Sequence, residues 1–409
     1  METDREPHNQ PATTRRALLT VATAAVPAAA LGLGAAGPAH AEAVSADFDN
    51  GGPGRRPQPQ VPDRDLRRLL GEIDERRIRA TVNRLVAFGT RHTLSSQTDP
   101  NRGIGAARDW LFAQFQAVAA ASGGRMSVEL QSFVQPPGAR NPEPVTVTNV
   151  VATLRGSVAP ERIHVVSGHY DSRITDVMNF TDDAPGADDD ASGVAVVLEL
   201  ARVFASRTVE STIVFVAFAG EEQGLFGSTY MAAQFKAAGA RIAAMFSNDI
   251  VGASQAWDGT APDPRTVRLF VEGVPTSETA AQTATRQSVG GEDDGPSRQL
   301  ARFVRDVAEN DATGMRIRVV WRRDRFLRGS DHIPFLQQGY PAGRLTERAR
   351  TSITSTRTCA SRAGRSSGTW RSSATSGTWC GWPRSTRPRS GHSRRGRPRR
   401  AASGSWRRC

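Results

Sequence analysis

Residues 63–123 carry apolar side chains at the three- and four-residue spacing of amphipathic helices. No proline interrupts the longest such run, Ile104–Ala121, and its aromatic residues fall on the apolar side, where they read as core. The pattern therefore predicts helices in this part of the chain. Its members are Leu66, Leu69, Leu70, Ile73, Ile78, Val82, Leu85, Val86, Trp110, Leu111 and Phe115.

After residue 125 the apolar residues alternate or form short runs, as strands do. Val128–Phe133 and Val145–Leu154 predict a hairpin around Pro136-Pro137. A strand through Val165 follows, and from there strands and helices alternate, which predicts an α/β fold. We expect one domain, 63–348, with a twisted, largely parallel sheet and helices on both faces. The remaining predicted elements are the helices Ala191–Ala205, Leu225–Ala238 and Gln299–Glu309, and the strands Thr212–Ala219, Ile242–Ile250, Val267–Val271, Ile317–Trp321 and Tyr340–Glu347.

Three of the predicted strands end in acidic or imidazole side chains. The strand through Val165 runs into His169 and Asp171, and the triplet Asp188–Asp190 precedes the next helix. Glu221-Glu222 and Asp249 follow the next two strands. Open α/β sheets bind ligands at this edge, and so many carboxylates would repel one another without a cation. The alternative is that the aspartates are ordinary helix N-caps.

If His169, Asp189, Glu222 and Asp249 converge, one imidazole and three carboxylates suit two zinc ions about 3.5 Å apart. Neighbouring residues after a strand need not point the same way, so Glu221 can act as the general base. Asp171 is then placed to orient the imidazole of His169. These residues by themselves predict a two-metal hydrolase.

Five segments, in this order along the chain, resemble the secreted bacterial di-zinc aminopeptidases of metallopeptidase clan MH, relatives of glutaminyl cyclases and glutamate carboxypeptidases. They are HYDS (169–172), PGADDDASG (185–193), AFAGEEQGLFGS (217–228), SNDIVG (247–252) and SDHIPF (330–335). The resemblance covers about Leu85 to Glu347 and implies the zinc exopeptidase fold, which is phosphorylase/hydrolase-like.

The resemblance also implies roles for individual residues. His169 and Asp249 would hold one zinc, Glu222 would help to hold the second, and Asp189 would bridge them. Glu221 would be the base, with Asp171 behind the imidazole. Asp331 and His332 match a family segment beside the site and would have a supporting role.

One family ligand is missing from the sequence. In the family a histidine follows the last strand, in a segment resembling ENYH or IHT, and it completes the shell of the second zinc. Here Arg350–Ser355 occupies that place and contains no histidine. The predicted site is therefore one imidazole short.

The residues after Arg348 have an unusual composition. They hold all three cysteines and four of the seven tryptophans, and the chain has one lysine against 52 arginines, a bias typical of a GC-rich gene. Reading 350–362 one nucleotide earlier turns RTSITSTRTCASR into ENFHHQHQDVRVE, which restores a histidine at Thr354. We expect 349–409 to be a frameshifted, disordered tail, whose cysteines indicate no native disulfide. A genuine basic tail is the alternative.

The tail also accounts for the positive charge of the chain. The net charge is +12, but Arg350 to Arg408 contribute 15 arginines, and no acid follows Glu347. Without those arginines the net charge is −3. The basic residues are therefore not spread over a folded surface, and we expect no nucleic-acid partner.

Residues 1–41 predict an export signal. Arg15-Arg16 precedes an alanine-rich apolar run through Ala36, and Pro38–Ala41 supplies a small-x-small cleavage site. Paired arginines favour the twin-arginine route. The apolar run is too short for a stable membrane span. Residues 42–62 are rich in Gly, Pro and Gln and predict a linker.

Together these patterns predict an exported zinc-dependent metallo-exopeptidase, with aminopeptidase activity on peptide or protein N-termini as the first interpretation. Two alternatives stay open. One is a single-zinc acyltransferase of the glutaminyl cyclase type, and the other is a non-catalytic binding protein, because one ligand is missing. The preferred N-terminal residue, the oligomeric state and the choice among zinc, manganese and cobalt are not readable from the residues.

Overall fold

The computed structural model describes residues 64–253, 263–310, 312–324 and 329–347. All of them belong to one compact unit. Within them the strands are β1 (Met126–Gln135), β2 (Val145–Leu154), β3 (Ala159–His169), β4 (Ser211–Phe218), β5 (Arg241–Asn248), β6 (Thr266–Val271), β7 (Arg316–Trp321) and β8 (Ala342–Glu347). Each strand predicted from the apolar pattern is present, with ends that differ by a few residues.

These strands form one sheet in the order β1-β2-β4-β3-β5-β8-β6-β7. The pairs β3–β4, β3–β5, β5–β8 and β6–β7 are parallel. The pairs β1–β2, β2–β4 and β6–β8 are antiparallel, and β1–β2 is the predicted hairpin. The prediction of an α/β fold with a mostly parallel sheet is confirmed. Because β3, β4, β5 and β8 run the same way, their carboxyl ends meet at one edge.

The apolar pattern does not predict three of the helices in the described residues, of which Glu221–Gly224 is only four residues long. Ala280–Val289 has no buried residue and so carries no apolar face to detect. His332–Gln337 is only six residues long and contains a proline. The helices are α1 (Arg64–Gly71), α2 (Glu75–Val86), α3 (Ile104–Ala120), α4 (Ser192–Ala205), α5 (Glu221–Gly224), α6 (Phe226–Ala237), α7 (Ala280–Val289), α8 (Pro296–Ala308) and α9 (His332–Gln337), with a π-helical turn at Ala187–Ala191 and a 3₁₀ turn at Gly291–Asp293.

Successive side chains of β4 point to opposite faces of the sheet, and helices pack on both faces. Phe215 and Ala217 belong to the apolar core that contains Leu111 of α3 and Val197 of α4. Val214, Val216 and Phe218 point the other way, into a second core with Met231 of α6 and Phe335 of α9. Successive strand residues face opposite sides, so the two cores sandwich the sheet. β3 and β4 are buried in its middle.

The predicted export signal, linker and tail (1–41, 42–62 and 349–409) lie outside the described residues. Within the described residues, no helix is both long enough and apolar enough to cross a membrane.

Candidate metal centre

His169 is the last residue of β3 and points into the interior at the carboxyl edge of the sheet. Its side chain is 1% exposed, and its Nε2 lies 3.2 Å from Oδ1 of Asp189. Burial alone would lower the pKa of His169, but Glu221, Asp171 and Asp189 outweigh it and raise the pKa well above its usual value. The imidazole therefore stands among carboxylates.

Asp171 ties His169 to the two glutamates that follow β4. Its Oδ1 lies 3.5 Å from Nδ1 of His169. The same carboxylate accepts the backbone N–H groups of Glu221 (3.2 Å) and Glu222 (3.0 Å), the first residues of α5. Burial would raise the pKa of Asp171, but His169 and these two N–H donors hold it below its usual value. Asp171 thus orients the imidazole and the glutamate-bearing turn together.

We expect Asp171→Ala to lower zinc affinity by about 10–100-fold, because it removes the group that orients His169 and α5. Competition with a chromophoric chelator measures that affinity. Asp182→Ala, an exposed acid in the loop after β3, is the matched control and should leave the affinity unchanged. Wild-type affinity in the Asp171 variant would contradict the orienting role.

Asp189 and Asp190, two members of the aspartate triplet, make different contacts. Asp189 faces His169, whereas Asp190 is a backbone anchor. Oδ2 of Asp190 accepts from the N–H of His169 (3.0 Å), and Oδ1 accepts from the N–H groups of Gly193 (3.0 Å) and Ile250 (3.2 Å). It therefore joins β3, α4 and the segment after β5. The sequence marked the triplet but did not separate these roles, since neighbouring acids look alike in a pattern.

Glu221 lies with His169 and Asp249 in one tight group. One ligand atom from each of the three falls within 4.8 Å of the others, and Oε2 of Glu221 is 4.0 Å from Nε2 of His169. Burial, with neighbouring Asp249 and Glu222, raises the pKa of Glu221 well above its usual value, against the effect of His169. A high pKa suits a group that must take and return a proton.

Glu222 points to a different neighbour. Its Oε2 accepts a hydrogen bond of 2.5 Å from Nε of Arg173, and its Oε1 is buried without a hydrogen-bond partner among the described residues. Burial, reinforced by Asp189 and opposed by Arg173, raises the pKa of Glu222 to about 7. The structure thus places Glu221, and not Glu222, beside His169 and Asp249. The division into base and ligand stays a prediction.

Asp331 and His332 are buried where β8 approaches β5. Nε2 of His332 bonds to the carbonyl of Arg323 (2.7 Å), and burial lowers the pKa of His332 to about 4. Burial raises the pKa of Asp331 to about 7. His332 and Asp331 are not members of the group formed by His169, Glu221 and Asp249. Their supporting role stays a prediction.

Arg91, which sequence reasoning missed, binds the backbone of the segments that precede and follow the loop after His169. Its guanidinium is fully buried and donates to the carbonyls of Tyr170 (2.7 Å), Pro185 (2.8 Å) and Gly186 (2.9 Å). Burial lowers the pKa of Arg91 to about 10. Gly186 has φ +47°, and a Cβ there would come within 2.8 Å of the guanidinium. A single arginine after a helix has no sequence pattern that would predict these hydrogen bonds to backbone carbonyls.

The nitrogen and oxygen atoms that could act as metal ligands fit a zinc ion. Oε1 of Glu222 is buried without a hydrogen-bond partner among the described residues, which is costly for a polar group. Nε2 of His169 is buried as well, with Oδ1 of Asp189 at 3.2 Å. Imidazole nitrogen and carboxylate oxygen are zinc ligands. Asp189 and Asp249 add further carboxylates at the same edge.

A model of peptidase family M28 matches residues 149–361, more than half of the chain. The chain belongs to peptidase family M28. The resemblance to clan MH is thereby confirmed on a stretch that holds all five motifs.

Curated M28-like relatives are similar over much of this chain. A protein of Pyricularia oryzae, described as a probable zinc metalloprotease, is 54% identical over 290 residues, 70% of this chain and 58% of its own length. One of Leptosphaeria maculans, described in the same way, is 52% identical over 70% of this chain and 66% of its own. The chain thus spans about three fifths to two thirds of these relatives. They come from fungi, so the expected bacterial character is not supported.

Solved structures with a similar fold include the LapA aminopeptidase of Legionella pneumophila, at a TM-score of 0.49 and 20% identity over 74% of this chain and 70% of that one. A glutaminyl cyclase of Porphyromonas gingivalis has a TM-score of 0.45 and 21% identity over 69% and 87%.

Proposed function

We propose that this M28 member is an exported zinc metallo-exopeptidase that removes N-terminal residues from peptides and uses two zinc ions. The observation that carries the proposal is the convergence of His169, Glu221 and Asp249 within 4.8 Å, with Asp189 3.2 Å from His169. The curated relatives described as probable zinc metalloproteases support the choice of metal.

His169, Asp189, Glu222 and Asp249 would hold the ions, with Asp189 between them. Bound zinc supplies Lewis acidity, which polarises a peptide carbonyl and makes water a stronger nucleophile. Glu221 then accepts the proton of the attacking water at Oε2 and returns it to the leaving amine. Asp171 keeps both glutamates in place through their N–H groups.

The proposed substrates are peptide or protein N-termini, which is what the resemblance implies for a site of this kind. We propose no nucleic-acid partner, because the positive charge belongs to the residues after 349.

A glutaminyl-cyclase-like acyltransferase with a single zinc is the second candidate. Within the described residues, the one tight group of three donors would suffice for a single ion.

One assay separates these activities. The purified chain is loaded with zinc and given peptides with a free or an acetylated N-terminus, and peptides that begin with glutamine. Release of free amino acid from the unblocked peptides alone supports the aminopeptidase. Release of ammonia without amino acid from the glutamine peptides indicates the cyclase. Zinc binding without either product would leave a non-catalytic binding protein.

Export is tested separately. Replacing Arg15 and Arg16 with lysine should block transport by the twin-arginine route, and the exported product should begin at or near Glu42. Cell fractionation and N-terminal sequencing measure both. Undiminished export of the double variant would indicate a general secretory signal instead.

A further inference from the structure

Arg344 places a buried positive charge beside the proposed metal centre. It lies on β8 opposite Ser247 of β5, in parallel register, and is 4% exposed. An arginine is expensive to bury unless its donors are paired. The position of the guanidinium therefore depends on what it contacts.

The main contact of Arg344 is Asp249. Its Nη2 donates to Oδ1 of Asp249 at 2.7 Å, and the two side chains are 5% and 3% exposed. Nη1 donates to the carbonyl of Gly329 at 3.1 Å, which holds the other arm of the guanidinium. A charge-assisted hydrogen bond of this length, away from water, is much stronger than a surface pair. Arg241–Glu161, at 3.4 Å and over half exposed, is such a surface pair.

The backbone around Asp249 strengthens this arrangement. The N–H of Asp249 donates to the carbonyl of Leu345 at 3.1 Å, so the residue after Arg344 binds the same aspartate. Ser247 and Ser330 are linked through their hydroxyls at 2.9 Å. The end of β5 is thus held by β8 through the backbone of Asp249, and by the segment before α9 through Ser247.

We propose that Arg344 is a positioning residue for Asp249. By occupying Oδ1 it sets the orientation of the carboxylate toward His169 and Glu221, and its charge offsets one of the many carboxylates at this edge. This inference rests on the proposed function, in which Asp249 holds zinc. Arg344 itself does not touch the substrate.

Arg344→Met should lower the zinc affinity of the 409-residue chain by about 10–100-fold, the usual effect of removing a group that supports a metal ligand. Arg344→Lys should fall between it and the wild type, because one ammonium keeps the charge but cannot reproduce the fork that reaches Asp249 and Gly329. Arg318→Met, on an exposed position of β7, is the matched control and should bind zinc as the wild type does. Chelator competition gives all four affinities.

Two further measurements separate positioning from general stability. In an Asp249→Ala background, Arg344→Met should cause no additional loss of affinity, because its target is gone. The visible spectrum of the cobalt-substituted Arg344→Lys chain should differ from that of the wild type, since the carboxylate ligand is reoriented. If Arg344→Met does not fold, Arg344→Lys carries the test.

An affinity within twofold of the wild type for both variants would overturn the inference. So would an equal loss in the Asp249→Ala background, or a lysine variant whose metal-free form is unfolded, which would make Arg344 a structural anchor. If the wild type binds zinc and hydrolyses peptides, and the Arg344 variants bind zinc equally well, only this inference is contradicted. A wild type that binds no zinc contradicts the proposed function.

Discussion

Glu221→Gln is expected to reduce peptide turnover by about 10²–10⁴-fold, to the point of abolishing it in ordinary assays, while zinc stays bound. Glutamine has the same shape as glutamate but cannot accept the proton of the attacking water. The backbone N–H of residue 221 would still donate to Asp171, so α5 should keep its place. Steady-state kinetics and metal analysis of the same sample measure the two quantities.

Glu222→Gln is the matched control, and it also decides how the two glutamates divide their roles. If Glu222 is the ligand, that variant loses zinc affinity as well as activity. Asp189→Ala should likewise lose both, since a bridging carboxylate serves both ions. If Glu221→Gln loses zinc and Glu222→Gln does not, Glu221 is the ligand. Its position beside His169 and Asp249 would agree with that outcome. Retained turnover in Glu221→Gln would contradict its role as base.

The second large effect is expected from restoring the reading frame near Ala349. The 409-residue chain should hold zinc unequally, because the ion proposed between His169, Asp189 and Asp249 would keep its ligands, whereas the second proposed ion would lack an imidazole. The restored chain should bind two zinc ions and gain aminopeptidase activity. It should also be more soluble, because the stretch after residue 362 through Trp382, read in the same shifted frame, has an amphipathic helical pattern of the kind expected to close such a domain. Zinc stoichiometry, activity and soluble yield are compared between the two chains.

The end of β8 lies at the edge of the sheet that carries the site residues. β8 ends at Glu347 beside β5, and the N–H of Glu347 donates to the carbonyl of Ile250 at 2.8 Å. β8 therefore ends at the same edge of the sheet as Asp249. We expect the histidine at position 354 of the restored chain to act at this edge. Glu222, with one buried oxygen unpaired, would be its neighbouring ligand.

Replacing that restored histidine with alanine provides the control. It should return the second site to weak binding without loss of solubility, which separates the ligand from the helix. Two tightly bound zinc ions and full activity in the unrestored chain would contradict the account of the tail. In that case His332 or another group would have to be the missing ligand.

Local pattern was sufficient for most of the fold. Apolar periodicity located α3, α4 and every strand, because a buried face must repeat every 3.6 or 2 residues. It failed for α7, whose ten residues bury no side chain. The position of β8 between β5 and β6 could not be predicted, since β6 and β7 come earlier in the chain and only long-range pairing sets that order.

The sequence by itself determined which residues gather at the site. His169 ends β3, Glu221 and Asp249 follow β4 and β5, and Asp189 precedes α4. Parallel strands bring their carboxyl ends to one edge. Only the tertiary structure decided how the side chains are used. It turned Glu222 toward Arg173, made Asp190 an anchor for three N–H groups, and set Arg344 against Asp249. These pairings join residues 49, 21 and 95 positions apart, and no local period encodes them, because they depend on which buried groups need a partner after the sheet has formed.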